Sequence, residues 1–172
     1  MDPLISPSPQ TPVRTQIVRE AQRLVTRTGF DRPGNCLHTA DAAVKASRRH
    51  NIRLELRAGS CYWPMVPNPG PGVKDALFGY LWLGGRHPDV RRALREDRMP
   101  ELHVWAVEVA TGSVVDLSTG LFPAHARTLH LGHWTGDAPP AWVWAPVDEL
   151  PTGVAYEEDP EALIVARRFL RS

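Results

Sequence analysis

The stretch Gly34-Asn35-Cys36-Leu37-His38-Thr39-Ala40 decides the fold, because a turn there gives way to a helix that begins at a cysteine. Small and apolar residues recur at helical spacing from Leu37 to Arg49, which predicts a helix over that segment. Asn35 is at the N-cap position, where we expect its side-chain oxygen to accept a hydrogen bond from the first turn. The positive end of the helix dipole would then favour the thiolate form of Cys36. The segment therefore predicts a reactive nucleophile, and its alternative is the more common buried, inert cysteine.

Length and composition are those of an ordinary globular protein. The chain has 172 residues, of which 42% are hydrophobic and 23% charged, and its net charge of +1 gives no strong field for nucleic acid or an acidic membrane. No apolar run is long enough to span a membrane, and the N-terminus lacks the pattern of a signal peptide. Two cysteines are too few for a disulfide framework. We therefore expect a cytoplasmic protein with no nucleic-acid or membrane partner.

The chain divides into a short tail and one domain. Residues 1–10 are rich in proline and serine without periodicity, which predicts a disordered tail, and residues 11–172 are long enough for a single core. Thr11-Pro12 is typical of a helix start, and Gly29 of a helix end. Between them a stripe of apolar residues predicts the buried face of a first helix: Val13, Ile17, Ala21, Leu24 and Val25.

Strand patterns follow the two N-terminal helices. Alternating or continuous apolar residues predict strands at residues 52–58, 76–83, 102–109, 114–117 and 141–144, and helices at 88–98 and 160–170. The first of these strands is expected to end at Cys61, and residues 121–131 fit neither pattern clearly. Helices followed by hairpin-connected strands predict an α+β fold, with the Cys36 helix packed on an antiparallel sheet.

A histidine and an acid lie on two of these strands. His103 is near the start of one strand, and Asp116 is on the strand that returns after a hairpin turn at Ala110-Thr111-Gly112-Ser113. Thiol catalysis needs an imidazole that accepts the thiol proton and later protonates the leaving group, together with a carboxylate that orients the ring. Cys36, His103 and Asp116 are therefore the predicted catalytic residues.

These residues resemble a known superfamily. Cys36 at a helix start, then His103-Val104-Trp105 with Glu108-Val109, then Val114-Val115-Asp116, is similar to the transglutaminase-like superfamily of papain-like thiol enzymes. Residues 36–59 are also similar to the small bacterial leader peptidases (B proteins) of lasso-peptide maturation. The resemblance implies a papain-like fold and acyl transfer through a thioester at Cys36, with a peptide or protein amide as substrate.

The hairpin between His103 and Asp116 is short. If Thr111-Gly112 form a two-residue turn, Asp116 lies opposite Val107, four residues and about 13 Å along the strand from His103. A bulge or a different turn has to close this gap, or another acid such as Asp148 takes the place of Asp116.

No side chain is an obvious second donor for the oxyanion hole. The backbone N–H of Cys36 is the natural first donor, and Asn35 and Trp63, with Gln16 and Gln22, are candidates for the second. Trp105 is expected in the core, where it can also shield His103 from water.

The remaining histidines do not predict a metal site. His125, His130 and His133 are close in sequence, but no cysteine or carboxylate completes a zinc ligand set, so we expect no metal and no cofactor.

The sequence thus predicts a cysteine peptidase or transglutaminase-like acyltransferase that acts on a peptide or protein. One alternative is a non-catalytic binding module on the same fold, and another is an amine acyltransferase that uses acetyl-coenzyme A. A homo-oligomer or an accessory protein remains open as a partner.

Overall fold

The chain folds as a mixed α+β protein, in which the predicted helices pack on an antiparallel sheet. The computed structural model describes residues 12–29, 34–65, 77–131 and 134–170. The predicted tail, residues 1–10, and the predicted N-cap Thr11 lie outside the described residues. Every strand pairing of the sheet is antiparallel, as the hairpin pattern of the sequence predicts.

The described residues form five α-helices and six strands. The helices are α1 (Pro12–Thr28), α2 (Cys36–Ser47), α3 (Pro88–Arg95), α4 (Phe122–Thr128) and α5 (Pro160–Ala166), and the strands are β1 (Leu54–Pro64), β2 (Leu77–Tyr80), β3 (His103–Glu108), β4 (Val114–Asp116), β5 (Val143–Ala145) and β6 (Ala155–Glu158).

Strand β1 is the centre of the sheet and has three partner strands. Gly59 pairs with His103 of β3 and with Glu158 of β6. Two residues further on, Cys61 again pairs with β6, but its other partner is Tyr80 of β2. Because a strand residue has one neighbour on each edge, β2 and β3 share one edge of β1 and β6 occupies the other. The end of β2 therefore meets the start of β3.

Helix α2 packs on one face of this sheet through small side chains. Ala40 is in one buried cluster with Val104, and Ala43 is in another with Ala106. These β3 residues point to the opposite face from His103, since side chains alternate along a strand. The short alanine side chains let the helix backbone lie close to the sheet and fix the position of its N-terminus.

The other face of the sheet carries an aromatic core. It is continuous from β6 through β1 and β3, because paired residues project to the same side. Its buried members include Cys61, Trp63, Phe78, Tyr80, Trp105, Phe122 and Val143.

Several predicted element limits are wrong. The strand predicted to end at Cys61 continues to Pro64, because β2 keeps its edge paired. Val13 is 40% exposed, and Val18 takes its place on the buried face of α1. The ambiguous residues 121–131 contain helix α4. Strand β6 was not predicted, since its sequence Ala-Tyr-Glu-Glu has the half-exposed character of an edge strand.

Helix α2 begins at Cys36, as predicted, but its predicted side-chain cap is wrong. Asn35 has φ −96° and ψ 31°, and its side chain makes no cap hydrogen bond. Its backbone carbonyl instead accepts bonds from the Thr39 N–H at 3.2 Å and the Thr39 hydroxyl at 3.0 Å. The first turn is thus held by Thr39 rather than by the amide side chain.

A buried carboxylate ties α1 to the sheet. Glu108 accepts hydrogen bonds on one oxygen from the Arg14 guanidinium at 2.9 Å and from the Trp144 indole at 2.8 Å. The same guanidinium lies over the Trp144 ring, 5.2 Å from its centroid. Glu108 is 8% exposed, so these contacts compensate for the removal of its charge from water.

We predict that Glu108→Gln lowers the free energy of unfolding by about 1–3 kcal/mol, because the part-buried ion pair between Glu108 and Arg14 is lost. Urea denaturation measures the change. Glu55→Gln is the matched control, since Glu55 pairs with arginines on the open surface of β1 and should leave the midpoint unchanged. Equal shifts in the two variants would contradict the assignment of Glu108.

Candidate active site

The β3–β4 hairpin turn is longer than the two-residue form, Thr111-Gly112, that would separate His103 from Asp116. The last hydrogen-bonded pair of the hairpin is Glu108 and Ser113, in which the Glu108 N–H donates to the Ser113 carbonyl at 2.9 Å. Residues 109–112 lie between these two residues. The Gly112 N–H donates to the Glu108 carbonyl at 2.8 Å. Gly112 has φ 72°, a left-handed conformation that glycine adopts without strain. Four residues, rather than Thr111-Gly112 alone, therefore make the turn.

The longer turn brings Asp116 closer to His103. Val107 pairs with Val114 and not with Asp116, and Ala106 pairs with Val115. The next pair in this register places Asp116 opposite Trp105. His103 is then the diagonal neighbour of Asp116 on the same face of the sheet, within side-chain reach. The His103 Nε2 and the Asp116 Oδ2 are 2.7 Å apart and share a buried hydrogen bond.

The Asp116 carboxylate is fully bonded. Its Oδ1 accepts from the Ser118 N–H at 2.9 Å and the Ser118 hydroxyl at 2.7 Å, and its Oδ2 accepts from the Tyr156 hydroxyl at 2.9 Å as well as from His103. Burial alone would raise the pKa of Asp116, but His103 and Ser118 outweigh it and hold the pKa below its ordinary value. The carboxylate is therefore ionised and fixed in orientation.

The His103 ring is buried between aromatic side chains. Tyr80 stacks on it at 4.9 Å between ring centroids, and Trp105 at 6.1 Å, while Phe122 meets it edge-on at 5.5 Å. Since Tyr80, His103 and Trp105 follow one another along the same edge of β1, the imidazole lies between the other two rings. Trp105 thus shields it from water, as expected.

The ring is also held in its charged form. Burial lowers the pKa of His103, but the Asp116 carboxylate and the Cys36 sulfur together raise it to about 10. A thiolate–imidazolium pair requires a protonated histidine. The raised pKa of His103 provides that form of the ring.

Cys36 lies close enough to His103 to influence its pKa. It acts on the pKa of His103 both as a charge and as a hydrogen-bonding side chain. Because Nε2 is bonded to Asp116, Nδ1 is the nitrogen left for the sulfur, and Nδ1 is buried without a well-formed hydrogen bond to any described residue. His103 is therefore paired with Asp116 through Nε2, and Nδ1 is the nitrogen that remains for a nearby thiol.

The other side chains that the sequence offered for the site are one buried residue and three exposed residues. Trp63 is buried against Phe122, and its indole N–H has no hydrogen-bond partner within the described chain. Gln16 and Gln22 are exposed on α1, and Asp148 is exposed in a short turn, so none of these three reaches His103.

Sequence analysis missed the residues that hold the site in place. Tyr80, Ser118 and Tyr156 contact His103 or Asp116, yet none belongs to a motif. Ser118 had a local signal, since a serine two residues after an aspartate commonly bonds to it in a turn. Tyr156 had none, because it comes from the unpredicted strand β6.

No model of a known protein family matches the chain, and neither does a curated protein or a solved structure. In the described part of the chain, no helix has the length and apolar character needed to cross a membrane. The described residues contain no group of three or more histidine, cysteine or acidic side chains that could hold a metal ion. His133 lies outside the described residues.

The raised pKa of His103 predicts a loss of stability in alkaline solution. A group with a higher pKa in the folded than in the unfolded chain stabilises the fold while it is charged. This contribution is complete below pH 6.5 and is lost as the pH rises through about 10. We expect urea titrations to show the free energy of unfolding falling over that interval, and the His103→Gln variant to lack this part of the slope. Parallel curves for the two proteins would contradict the prediction.

Proposed function

We propose that this chain is a thiol enzyme with a papain-like, transglutaminase-like architecture, which cleaves or transfers an acyl group from a peptide or protein amide. Cys36 is the nucleophile, His103 the general base and acid, and Asp116 the orienting group. The observation that carries the proposal is the Asp116–His103 bond at 2.7 Å, which occupies Nε2 and leaves the buried Nδ1 for the thiol of Cys36.

The proposed chemistry follows from the order of these three residues. The thiol proton of Cys36 resides on His103 Nδ1 in the reactive thiolate–imidazolium pair, and the thiolate Sγ attacks the carbonyl carbon of the amide, whose C=O electron pair moves to the oxygen. The backbone N–H of Cys36 at the start of α2 faces that developing charge. When the C–N bond breaks, the amine leaves with the proton from His103 and a thioester remains on Cys36. Water or a second amine then attacks the thioester, which decides between hydrolysis and transfer.

The bonds to Asp116 support an orienting role. Ser118 and Tyr156 hold three of its four accepted hydrogen bonds, so the carboxylate cannot rotate away from the imidazole. An ionised, fixed acid selects the ring orientation that presents Nδ1 to the sulfur and stabilises the imidazolium. The similarity to lasso-peptide leader peptidases makes a peptide with a leader segment the first substrate to test.

A non-catalytic binding module on the same fold is the second candidate. The observation that favours it is burial, since Cys36 and Asp116 are each 2% exposed and His103 is fully buried. A module of this kind would use the three residues as a polar core and would have an inert thiol. The acetyl-coenzyme A alternative uses the same thioester and predicts acetylation of Cys36 by that cofactor.

We predict that iodoacetamide labels Cys36 below pH 7, because the proposed mechanism requires a nucleophile that is paired with the imidazolium of His103. Mass spectrometry of tryptic peptides measures the rate, and Cys61 is the internal control. Burial raises the pKa of the Cys61 thiol, and the charge of Asp116 raises it further, so Cys61 should remain unlabelled.

The His103→Ala variant separates the two candidates. We expect the labelling of Cys36 at pH 6 to fall by about tenfold or more when the imidazolium is removed. Slow labelling of both cysteines in the wild-type protein, unchanged in the variant, would contradict the enzyme and favour the binding module.

A further inference from the structure

A second histidine lies at the proposed site, outside the three residues above. The His125 Nδ1 and the Tyr80 hydroxyl are 2.6 Å apart, and the Tyr80 ring stacks on His103. His125 is on α4 and is partly exposed, whereas Tyr80 and His103 are buried. Tyr80 thus connects a buried imidazole to one that reaches the surface.

The direction of the Tyr80–His125 bond follows from the partners available. Burial raises the pKa of Tyr80, and the charges of Cys36 and Asp116 raise it further, so the phenol keeps its proton. A buried O–H requires an acceptor, and His125 Nδ1 is the acceptor that the structure provides. His125 therefore accepts at Nδ1 and, when neutral, carries its own proton on Nε2.

The pKa values of the two histidines are shifted in opposite directions. Burial lowers the pKa of His125, and the positive charge of His103 lowers it further, whereas the pKa of His103 is raised. Neighbouring groups whose pKa values are pushed apart take different roles in catalysis, and a neutral imidazole can act as a hydrogen-bond donor to a substrate oxygen.

The Nε2 of His125 lies beside the loop that leads into α2. A Cβ at Gly34 would lie 3.7 Å from its Cε1 and 3.9 Å from its Nε2, and Gly34 is two residues before Cys36. A side chain at position 34 would also be strained, since Gly34 has φ 88°. The imidazole of His125 therefore lies against Gly34, next to the start of the nucleophile helix.

We propose that His125, held by Tyr80, is the side-chain donor that binds the acyl oxygen of the substrate through its Nε2–H, beside the backbone N–H of Cys36. This inference rests on the proposed function and adds the second donor that sequence analysis did not identify. Sγ forms a bond to the carbonyl carbon, the C=O electron pair moves to the oxygen, and Nε2–H donates to that charge without transferring its proton.

Two reactions of Cys36 separate this role from an effect on the thiol. Alkylation by iodoacetamide displaces iodide at a saturated carbon and creates no oxyanion. Acetylation by p-nitrophenyl acetate forms the S–C bond and expels nitrophenolate through an oxyanion, and this leaving group needs no proton. We expect His125→Ala to slow acetylation of Cys36 by about a hundredfold and to leave alkylation within twofold of the wild-type rate.

Tyr80→Phe is the second variant, because it keeps the stacked ring and removes only the hydroxyl that fixes the His125 proton. We expect a smaller loss, about tenfold, again confined to acetylation. Arg127→Ala, an exposed position on the same helix, is the matched control and should leave both rates unchanged.

Two results would overturn the assignment of His125. Equal acetylation rates in His125→Ala and wild type would remove its role and leave the thiol enzyme standing. Loss of acetylation in Trp82→Phe but not in His125→Ala would give the role to the indole N–H of Trp82, which is buried in the same cluster as Cys36 and has no hydrogen-bond partner among the described residues. A wild-type protein that is neither alkylated nor acetylated at Cys36 would refute the proposed function itself.

Discussion

The hydrogen bond between His103 and Asp116 is the constraint on which the rest of the site depends. Both side chains are buried, and an isolated buried charge would destabilise the fold by several kcal/mol. The pair is tolerated because Ser118 and Tyr156 satisfy the remaining carboxylate positions. A network that is bonded in this way fixes a single orientation of the imidazole, which a purely apolar core would not do.

The sheet explains why these groups meet at one place. Strands β2 and β3 share one edge of β1, so Tyr80 at the end of one strand stacks on His103 at the start of the other. Strand β6 occupies the opposite edge and supplies Tyr156. Helix α2 lies on the other face through its alanines, and Cys36 at its start is close enough to His103 and Tyr80 to influence the pKa of each. The site is therefore made by tertiary pairing of strands and not by one local motif.

Sequence analysis identified the parts of the site that have local signals. Helical periodicity predicted Cys36 at the start of a helix, and the alternation of apolar residues predicted His103 on a strand. The structure has helix α2 beginning at Cys36 and strand β3 beginning at His103. A two-residue turn would have left a gap between His103 and Asp116, and the structure closes that gap with a different turn, of four residues, which changes the strand register. Tyr156 and the role of His125 had no local signal, since each depends on which distant element packs beside it.

The pKa of His103, measured by ¹⁵N NMR in wild type and in Cys36→Ala, shows whether the thiol and the imidazole are coupled through charge. If the sulfur faces Nδ1 as a thiolate, its removal takes away one of the charges that stabilise the imidazolium, and the pKa of His103 should fall from about 10. The Asp116 bond should persist, so the pKa should stay above its ordinary value. An unchanged pKa in Cys36→Ala would show that the thiol and the imidazole do not interact and would contradict the account.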